Sequence, residues 1–591
     1  MLEGPNVYAL EPTVKLEVMV GRRRTWYGQR QPGRHAVVHL GAPVSERDAP
    51  APVVTMRGWV RYLHAATGAG GWLADEGRAS SPSRARIPVE LHRSSEPGHW
   101  IVAFPWRERE RAEAIAEYAF RLVELGVDPG RVTGGRRRGA GGSRSLARAL
   151  RAIGEAGRTP PPWIRDAERR VPCVSISGTN GKSTTTRMLS HILRMSGRHV
   201  GTTTSDGVLF DEQLVEEGDL TGPAGARSVF ENPDVEVAVL ETARGGIVLK
   251  GIGYESNEAS VLTNVSPDHL DLHGIHTLPE LADVKSTVAR ITKPDGVAVL
   301  NAEDPLVAAV ARRIRARVCY FSLDPRNARL RRHVARGGLA AVLDADWLVE
   351  LDGATRRKIV RVDKVPATIL GLARHNVANA LAAGAAARAL GATIEQVAQG
   401  LRTFQPTADQ APGRLNFYRL DSRLVIVDFA HNEAGVKVVL DVAEGLVGGR
   451  DERAGRAFLT MIIGTAGDRP DDSLRGIGRI AAERSDQVAI KETLRYLRGR
   501  TRESMIGELQ DGIRAGGGRP VDVPVYEDEA GAVRGELTNP ARLAGGGTPG
   551  VLVIMCHADR EAVVATITEL GGTAVSSVEG IRIGETGAAG G

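Results

Sequence analysis

The sequence predicts an α/β protein in three parts: an N-terminal α/β module, a central doubly wound sheet and a C-terminal Rossmann-like domain. Two observations support this prediction. Short apolar runs rich in β-branched residues alternate with segments of helical apolar spacing from residue 171 onward. Several of these runs end in polar clusters, which is typical of parallel sheets that place ligand-binding groups at one edge. A chain of 591 residues is also too long for a single core.

The N-terminal module is predicted to span residues 1–165. Apolar runs indicate strands at residues 14–18, 36–40 and 100–104, and residues 109–125 have the apolar spacing of a helix. Residues 132–144 are rich in glycine and arginine, a composition that predicts a mobile loop or linker. We favour a solvated linker over a segment that grips an anionic partner.

The central domain, predicted at residues 166–408, begins with a strand, a glycine-containing turn and a helix. Residues 171–177 form a β-branched apolar run, and residues 184–193 have helical apolar spacing. This order predicts a phosphate-binding loop, because Gly178 and Gly181 allow a tight turn and the helix N-terminus attracts anions.

The rest of the central domain repeats the strand-then-polar-cluster pattern. Residues 201–207 are predicted to form a polar turn, and residues 404–412, with two prolines, a linker to the last domain. Further strands are predicted at residues 235–240, 259–265 and 297–300. Because ligands bind at the carboxyl ends of parallel strands, we expect the polar residues that follow these strands to form a site.

The C-terminal domain is predicted at residues 409–591 as a second, smaller parallel sheet. It alternates four apolar runs with three helical segments. The strands are predicted at residues 424–428, 458–463, 487–490 and 551–556, and the helices at residues 436–446, 474–484 and 560–570.

Composition excludes some classes of function. The net charge is +6, but aromatic residues are only 4% and no basic stripe is interleaved with them, so we expect no nucleic-acid partner. No apolar run approaches the ~20 residues that span a bilayer, and the N-terminus lacks the features of a signal peptide. We expect a cytoplasmic protein with no membrane partner, in which Cys173, Cys319 and Cys556 are buried free thiols.

The polar residues of the central domain suit phosphoryl chemistry. Lys182 can reach the β- and γ-phosphates of a nucleotide. Ser183 and Glu241 supply the oxygen ligands that Mg²⁺ prefers, and His269 could help to hold a second cation. Lys285 cannot bind a cation as an ammonium group, but it would become an oxygen ligand if it reacted with CO₂ to form a carbamate.

A series of ordered motifs carries a family resemblance. They are Gly178-Thr-Asn-Gly-Lys-Ser183, Glu241, Thr263-Asn264, Asp268-His-Leu-Asp-Leu-His-Gly274, Lys285, Leu300-Asn-Ala-Glu-Asp-Pro305, His375-Asn376, Asn379, Pro412-Gly-Arg414 and Asp428-Phe-Ala-His-Asn432. With these motifs the sequence resembles the Mur ligase superfamily, whose members use ATP to join a carboxylate to an amine. The matching pieces run from residue 171 to nearly the end of the chain.

Other motifs resemble one branch of that superfamily, the Mur-like ligase half of the cyanophycin synthetases. They are Gly218-Asp-Leu-Thr-Gly-Pro223, Leu240-Glu-Thr-Ala-Arg-Gly-Gly-Ile247, Ala430-His-Asn-Glu-Ala-Gly435, Gly467-Asp-Arg469 and Arg498-Gly-Arg500. Two features depart from that branch. The N-terminal module runs directly into the Mur-like part, without the ATP-grasp domain that separates them in cyanophycin synthetases, and Glu433 replaces the usual proline. We therefore do not expect a complete two-step polymerase from this chain alone.

The resemblance implies that ATP phosphorylates a substrate carboxylate and that an amine then displaces the phosphate. It implies that Lys182 stabilises the γ-phosphate, that Ser183 and Glu241 hold one Mg²⁺, and that His269 and carbamylated Lys285 hold another. The implied nucleotide-binding residues are Gly178, Thr179, Asn180, Gly181, Lys182, Ser183, Thr184, Asn301, Asp304, Asn379, Arg414 and Asp428. The residues implied to line the side where the amine substrate enters are His431, Asn432, Asp468, Arg469 and Lys491.

The leading hypothesis is thus an ADP-forming, ATP-dependent amide ligase that acts on amino acids or peptides and assembles as a homo-oligomer. A second hypothesis is a polyglutamate or cell-wall peptide ligase. A third is a non-catalytic, ATP-binding scaffold subunit of a larger synthetase. The joint presence of Lys182, Glu241, His269 and Lys285 argues against a scaffold, which does not need them together.

Overall fold

The computed structural model describes residues 1–20, 25–26, 41–67, 87–94, 98–129, 140–267, 270, 274–405, 407–447, 458–492, 494–539, 550–575 and 579–581. Within these residues the chain forms three β-sheets whose helices pack on them around five apolar clusters, one of which joins Ile101 and Ala103 of the N-terminal sheet to the central sheet. The α/β fold class predicted from the sequence is therefore confirmed. Across the same residues, no helix combines the length and the apolar character needed to cross a bilayer.

The N-terminal sheet is antiparallel and packs its helices on one apolar cluster. Its strands, in the order β2-β1-β5-β4-β3, are β1 (Thr13–Val20), β2 (Thr25–Trp26), β3 (Gly41–Pro43), β4 (Glu90–Ser94) and β5 (His99–Pro105). Its helices are Ala51–Ala66, Arg109–Glu124 and Ala140–Glu155. The strands predicted at 14–18 and 100–104 and the helix predicted at 109–125 are confirmed.

Two predictions for this module have other outcomes. The strand predicted at 36–40 lies outside the described residues, as do residues 132–139 of the predicted linker. The linker prediction is wrong for its last residues, because residues 140–144 begin the helix Ala140–Glu155. Local composition favoured a loop there, but Leu146, Ala149 and Ile153 give the helix an apolar face that packs into the module.

The central sheet has eleven strands within the described residues, in the order β16-β15-β14-β13-β12-β11-β6-β10-β7-β8-β9. The seven strands from β14 to β7 in this order pair in parallel, and antiparallel hairpins extend both edges. The strands are β6 (Cys173–Ser177), β7 (Val200–Thr203), β8 (Gly207–Phe210), β9 (Gln213–Glu217), β10 (Val237–Glu241), β11 (Asn257–Leu262), β12 (Thr292–Asn301), β13 (Arg317–Ser322), β14 (Leu339–Asp344), β15 (Trp347–Asp352) and β16 (Thr355–Arg361).

Helices cover both faces of this sheet, as a doubly wound fold requires. One face packs against the helices Lys182–Met195, Arg374–Ala389 and Ile394–Thr403. The other face packs against the helices Pro223–Glu231, Arg244–Leu249, Leu278–Arg290, Pro305–Ala309 and Ala328–Val334. The central strands are buried on both sides, which is why they appear in the sequence as continuous apolar runs.

One prediction in the central domain is wrong. Residues 201–203 belong to strand β7 rather than to a polar turn, and all four residues of β7 are buried. Their threonine-rich sequence reads as polar, but β7 pairs in parallel with β10 on one side and antiparallel with β8 on the other. The backbone ladder and the β-branched threonines therefore favour a strand over a turn.

The C-terminal sheet has the order β21-β20-β19-β22-β18-β17-β23 in the described part of the chain. Strands β21 to β18 in this order are parallel, whereas β17 and β23 form an antiparallel edge. The strands are β17 (Asn416–Leu420), β18 (Arg423–Asp428), β19 (Phe458–Ile463), β20 (Gln487–Lys491), β21 (Val525–Tyr526), β22 (Gly550–Met555) and β23 (Thr573–Ala574). The helices are Glu433–Leu446, Asp471–Arg484, Arg502–Ala515, Glu529–Thr538 and Arg560–Glu569. The four predicted strands and three predicted helices are confirmed.

The first residues of the chain join the N-terminal module to the central sheet. The Glu3 N–H donates to the carbonyl of Lys250 at 2.6 Å, and the Ile252 N–H donates to the carbonyl of Pro5 at 2.7 Å. Asn6 is fully buried beside them, and the Trp106 indole of the module donates to the carbonyl of Leu2 at 2.9 Å. This N-terminal strap, residues 2–6, is thus fixed against the segment that follows strand β10.

Candidate active site

The predicted phosphate-binding loop lies between strand β6 and the helix Lys182–Met195. Gly178 and Gly181 have φ values of +153° and +84°. A Cβ atom at Gly178 would lie 1.9 Å from Thr263 Oγ1, and one at Gly181 would lie 2.4 Å from Asn379 Oδ1. Both positions therefore require glycine, by conformation and by the close approach of neighbouring side chains.

The end of strand β11 holds this loop in place. The Asn180 N–H donates to Asn264 Oδ1 at 2.9 Å, and Asn264 Nδ2 donates back to the carbonyl of Asn180 at 3.0 Å. The Thr263 hydroxyl donates to the same carbonyl at 2.6 Å, and the Thr179 N–H donates to the carbonyl of Asn264 at 2.8 Å. These bonds fix the turn before any ligand binds, so the loop is preorganised for an anion.

Glu241, at the end of strand β10, lies beside the loop and is 3% exposed. Burial raises the pKa of this carboxyl group, while Lys182, a hydrogen bond with Ser183, and Arg414 act in the opposite direction. Its Oε2 atom is buried and has no hydrogen-bond partner among the described residues. A carboxylate oxygen buried without a donor next to a serine hydroxyl fits a site for a hard cation such as Mg²⁺.

The remaining predicted metal ligands have different outcomes. His269 lies outside the described residues. Lys285, on the helix Leu278–Arg290, is buried, and its Nζ donates to the carbonyl of Gly178 at 2.6 Å. Helix and loop are thus joined at the first glycine of the phosphate-binding turn. The Lys182 ammonium group folds over the same turn and donates to the carbonyl of Thr179 at 2.9 Å.

A cleft of about 750 Å³ opens between the central and C-terminal sheets at this loop. It brings together most of the residues predicted to contact the nucleotide. The lining includes Thr179, Asn180, Gly181, Lys182, Ser183, Thr184, Asn301, Asp304, Asn379, Arg414 and Asp428. Of the predicted set, Gly178 is not part of the lining, because it sits behind the turn against Thr263.

Several predicted nucleotide contacts also brace the walls of the cleft. Asp304 caps the helix Pro305–Ala309, and its second carboxylate oxygen accepts from the Val265 N–H at 2.6 Å. Buried Asp428 accepts from the N–H groups of Leu415 at 2.8 Å and Ala430 at 2.7 Å, although burial raises the pKa of this carboxyl group. These side chains fix the loops at the carboxyl ends of strands β12 and β18, so their bonds constrain the shape of the cleft.

The C-terminal wall contains an aromatic ring that the sequence reasoning did not select. Phe429 lines the cleft, and the Arg414 guanidinium lies over its ring at 4.5 Å from the centroid. His375, on the opposite wall, is also part of the lining, and burial lowers its pKa to about 4. Both residues lie within motifs that carry the family resemblance, and these motifs are the feature of the sequence that could have identified them as site residues.

The residues predicted to meet the amine substrate divide into two groups. His431 lines the main cleft, and Asn432 Nδ2 donates across it to Asn180 Oδ1 at 3.3 Å. Asn432 and Arg469 also line a neighbouring cavity of about 360 Å³, together with Lys437. Asp468 forms an ion pair with Arg498 next to this cavity.

Lys491 does not lie on either cavity wall, contrary to the prediction. It is 1% exposed, and its ammonium group pairs with Glu529 at 2.5 Å inside the C-terminal domain. Its position at the carboxyl end of strand β20 suggested a ligand contact, but the side chain turns inward toward the helix Glu529–Thr538. Sequence order places a residue at the edge of a sheet and leaves the direction of its side chain open.

Comparison with known proteins identifies the part of the chain that carries this site. Residues 176–387 match the family described as the Mur ligase middle domain. The matched segment is similar to that domain along its whole length, from strand β6 to the helix Arg374–Ala389. The resemblance to Mur ligases drawn from the motifs is confirmed, and the matched residues include the phosphate-binding loop, Glu241, Lys285 and Asn379.

The curated proteins that the chain resembles include cyanophycin synthetases. The chain is 43% identical over 348 residues to cyanophycin synthetase from Crocosphaera subtropica. This alignment covers 59% of this chain and 39% of that protein. The chain is also 26% identical over 443 residues to UDP-N-acetylmuramoyl-L-alanyl-D-glutamate–2,6-diaminopimelate ligase from Gloeobacter violaceus. That alignment covers 73% of this chain and 82% of the ligase. The chain thus spans about two-fifths of the length of the cyanophycin synthetases that it matches.

A solved structure is similar as well. The bifunctional folylpolyglutamate synthase/dihydrofolate synthase from Yersinia pestis, complexed with AMPPNP and an Mn ion, aligns with a TM-score of 0.48 at 19% identity. The alignment covers 68% of this chain and 89% of the other.

Proposed function

We propose that this chain is an ATP-dependent amide ligase that activates a carboxylate as an acyl phosphate and joins it to the amine of an amino acid or peptide, with release of ADP. The observation that carries the proposal is the arrangement of charged groups around the phosphate-binding loop. There the preorganised turn of Lys182 and Ser183 adjoins Glu241, whose buried Oε2 lacks a hydrogen-bond partner among the described residues. The 43% identity to two cyanophycin synthetases, over 348 and 323 residues, supports the same activity.

The phosphate-binding turn would hold the triphosphate of ATP. Its N–H groups and the helix N-terminus attract phosphate oxygens, and Lys182 can exchange its bond to the Thr179 carbonyl for one to the γ-phosphate. Ser183 and Glu241 would hold Mg²⁺, and we propose His269 and Lys285, the latter only after its Nζ has reacted with CO₂ to form a carbamate, as the ligands of a second ion. When bound, Mg²⁺ neutralises charge on the phosphate oxygens during transfer.

The walls of the cleft would hold the rest of the nucleotide. Asn301, Asp304 and Asn379 lie on the central side, and Arg414 and Asp428 on the C-terminal side. The Arg414 guanidinium, held over Phe429, presents a fixed positive charge to the cleft.

The neighbouring cavity would admit the second substrate. On its wall the cations of Lys437 and Arg469 outnumber the carboxylate of Glu433, which suits an amino acid or peptide carboxylate, while His431 and Asn432 separate it from the main cleft. The Asn432–Asn180 bond joins the two domains where the acyl phosphate and the amine would meet. We propose that closure hinges near residues 407–413, and that the enzyme works as a homo-oligomer.

Phosphate release from Mg·ATP tests the proposal. Single amino acids are crossed with short acceptors, among them β-Asp–Arg peptides, glutamate peptides and cell-wall peptides, and products are weighed by mass spectrometry. We expect release that requires one donor–acceptor pair and a product whose mass equals the pair minus water. Lys182→Ala is expected to abolish release, and Lys250→Ala, which changes an exposed lysine away from the cleft, to leave it unchanged.

The identity of the productive pair distinguishes the ligase hypotheses. A glutamate or cell-wall acceptor would favour the polyglutamate or cell-wall ligase. If the protein binds ATP but no donor–acceptor pair stimulates phosphate release, and Lys182→Ala behaves identically, the protein would be a scaffold. The proposal would then be withdrawn. Glu241→Gln adds a readout that does not depend on activity: it is expected to weaken the Mg²⁺ dependence of nucleotide binding measured by calorimetry.

A further inference from the structure

A buried ion pair lies at the carboxyl edge of the C-terminal sheet, away from both cavities. Lys491 ends strand β20 with its side chain fully buried, and its Nζ lies 2.5 Å from Glu529 Oε1. Glu529, 2% exposed, also accepts from the backbone N–H groups of His557 at 2.7 Å, Ala558 at 3.1 Å and Asp559 at 3.0 Å. The carboxylate is saturated with donors, so the ammonium group of Lys491 is held in one position.

His557 connects this pair to the main cleft. Its Nδ1 lies 3.1 Å from Lys491 Nζ, and its Nε2 lies 2.7 Å from the carbonyl oxygen of Ala430. A carbonyl oxygen only accepts, so Nε2 carries the ring proton and Nδ1 accepts from Lys491. Burial and the nearby Lys491 lower the pKa of His557 well below its ordinary value, which keeps the ring neutral in this tautomer.

The chain segment held by His557 forms the C-terminal wall of the nucleotide cleft. Residues 428–431 line the cleft, and the carbonyl that His557 holds is in their middle. The Phe429 ring packs edge-on against His557, with centroids 5.1 Å apart, and carries the Arg414 guanidinium on its face. Thr465 adds a second anchor through a 3.0 Å bond to the carbonyl of His431.

Phe429 depends on this support because it is a large apolar side chain that remains 36% exposed. Of the described neighbours, His431 and His557 pack on its edges and Arg414 on its face. A shift of the Ala430 carbonyl would therefore move the ring and the guanidinium together.

We propose that His557, oriented by Lys491 and Glu529, is a positioning residue that holds residues 428–431 in the conformation that binds the nucleotide. It touches neither reacting atoms nor, by its placement, the phosphates, and it acts through Phe429 and Arg414. The inference depends on the proposed function only in taking the ligand of the cleft to be a nucleotide. It also gives Lys491 a role that its buried position allows.

Three single variants of the full-length chain test the inference through the affinity for Mg·AMP-PNP, measured by calorimetry. His557→Ala removes the donor and the edge contact, and we expect binding to weaken about tenfold, as for one lost buried hydrogen bond. His557→Gln can place its amide N–H near the position of Nε2 and is expected to restore most of the affinity. His333→Ala is the matched control: its Nε2 also bonds a backbone carbonyl, that of Val318, at 3.0 Å, but it lies away from the cleft.

A second readout does not require a ligand. Hydrogen exchange of the unliganded protein should be faster at residues 428–435 in His557→Ala than in the wild type, and unchanged there in His333→Ala. Nitrogen-15 spectra of the wild-type histidines should contain one neutral ring protonated at Nε2 that disappears in His557→Ala.

The outcomes separate the two proposals. If the wild type fails to bind Mg·AMP-PNP while exchange at residues 428–435 responds as expected, the proposed function is wrong and the positioning role of His557 stands. If His557→Ala binds as the wild type does, or His557→Gln is as weak as His557→Ala, the inference is overturned. Unchanged exchange at residues 428–435 in His557→Ala would overturn it as well.

Discussion

Replacement of Glu258 by glutamine should destabilise the strand that delivers the phosphate-binding loop. Glu258, on strand β11, accepts from Arg169 at 2.6 and 2.7 Å, from Lys293 at 2.7 Å and from the Cys173 N–H of strand β6 at 2.7 Å. The Arg169 side chain is 2% exposed, so removal of the carboxylate leaves a buried guanidinium that keeps its bond to the Val171 carbonyl but has, among the described residues, only the more distant Asp166 as a charged partner.

The expected magnitude follows from the pKa of Glu258. Burial alone would raise this pKa, but the hydrogen bonds from Arg169, Lys293 and Cys173 outweigh it and lower the pKa from 4.5 to about 2. A carboxyl group whose pKa is lowered in the folded state stabilises the fold fully above pH 4.5, and the stabilisation is lost as the pH falls toward 2. The ionised Glu258 carboxylate therefore adds about 3 kcal/mol to the free energy of unfolding at pH 7 and about 1.5 kcal/mol at pH 3.

Pulsed hydrogen exchange in increasing urea measures this loss locally, on peptides that cover residues 171–177. Glu258→Gln should lower the unfolding free energy of this segment by about 3 kcal/mol at pH 7 and by about half as much at pH 3. Peptides from the C-terminal strand β22 and the variant Glu217→Gln, an exposed glutamate on strand β9, serve as controls. A loss below about 1 kcal/mol at pH 7, or an equal loss at both pH values, would refute the reasoning.

Two further predictions concern glycines. Gly181→Ala should weaken Mg·AMP-PNP binding at least tenfold, because its Cβ would lie 2.4 Å from Asn379 Oδ1. Gly197→Ala, at a similar φ of +90° but in open space, should retain affinity. Equal binding by both variants would contradict the steric argument. Gly4→Ala should release the N-terminal strap, because its Cβ would lie 1.7 Å from the Ile252 carbonyl oxygen, and hydrogen exchange at residues 244–254 should then accelerate. Unchanged exchange there would mean that the strap does not fix this segment.

Local patterns were sufficient for much of the fold. The strands β6, β10, β18, β19 and β22 are buried on both faces, so each appears as a continuous apolar run whatever its partners are. Two other strands were missed because their own composition does not resemble a buried strand. All five residues of β9, at the edge of the central sheet, are exposed. Strand β7 is buried between β10 and β8, but it is rich in glycine and threonine, so its pairing partners make it a strand rather than its own composition.

The candidate site divides in the same way. The Gly-Thr-Asn-Gly-Lys-Ser turn is a local structure, and its glycines, Lys182 and Ser183 could be assigned from spacing alone. Phe429 could not be ranked above its neighbours by sequence, since its importance comes from the Arg414 guanidinium over its ring. Lys491 was misassigned because its direction depends on Glu529, a residue 38 positions away.

The sequence by itself determined the doubly wound central domain, the phosphate-binding turn and the resemblance of that domain to the Mur ligases, because each rests on short runs of contiguous residues. Only the tertiary structure decided which polar residues face the cleft and which brace it from behind. The buried carboxylate of Glu241 beside Ser183, and the chain of contacts from Glu529 through Lys491 and His557 to Ala430, join residues from separate strands. Their effect depends on distance and burial, which no local pattern of residues specifies.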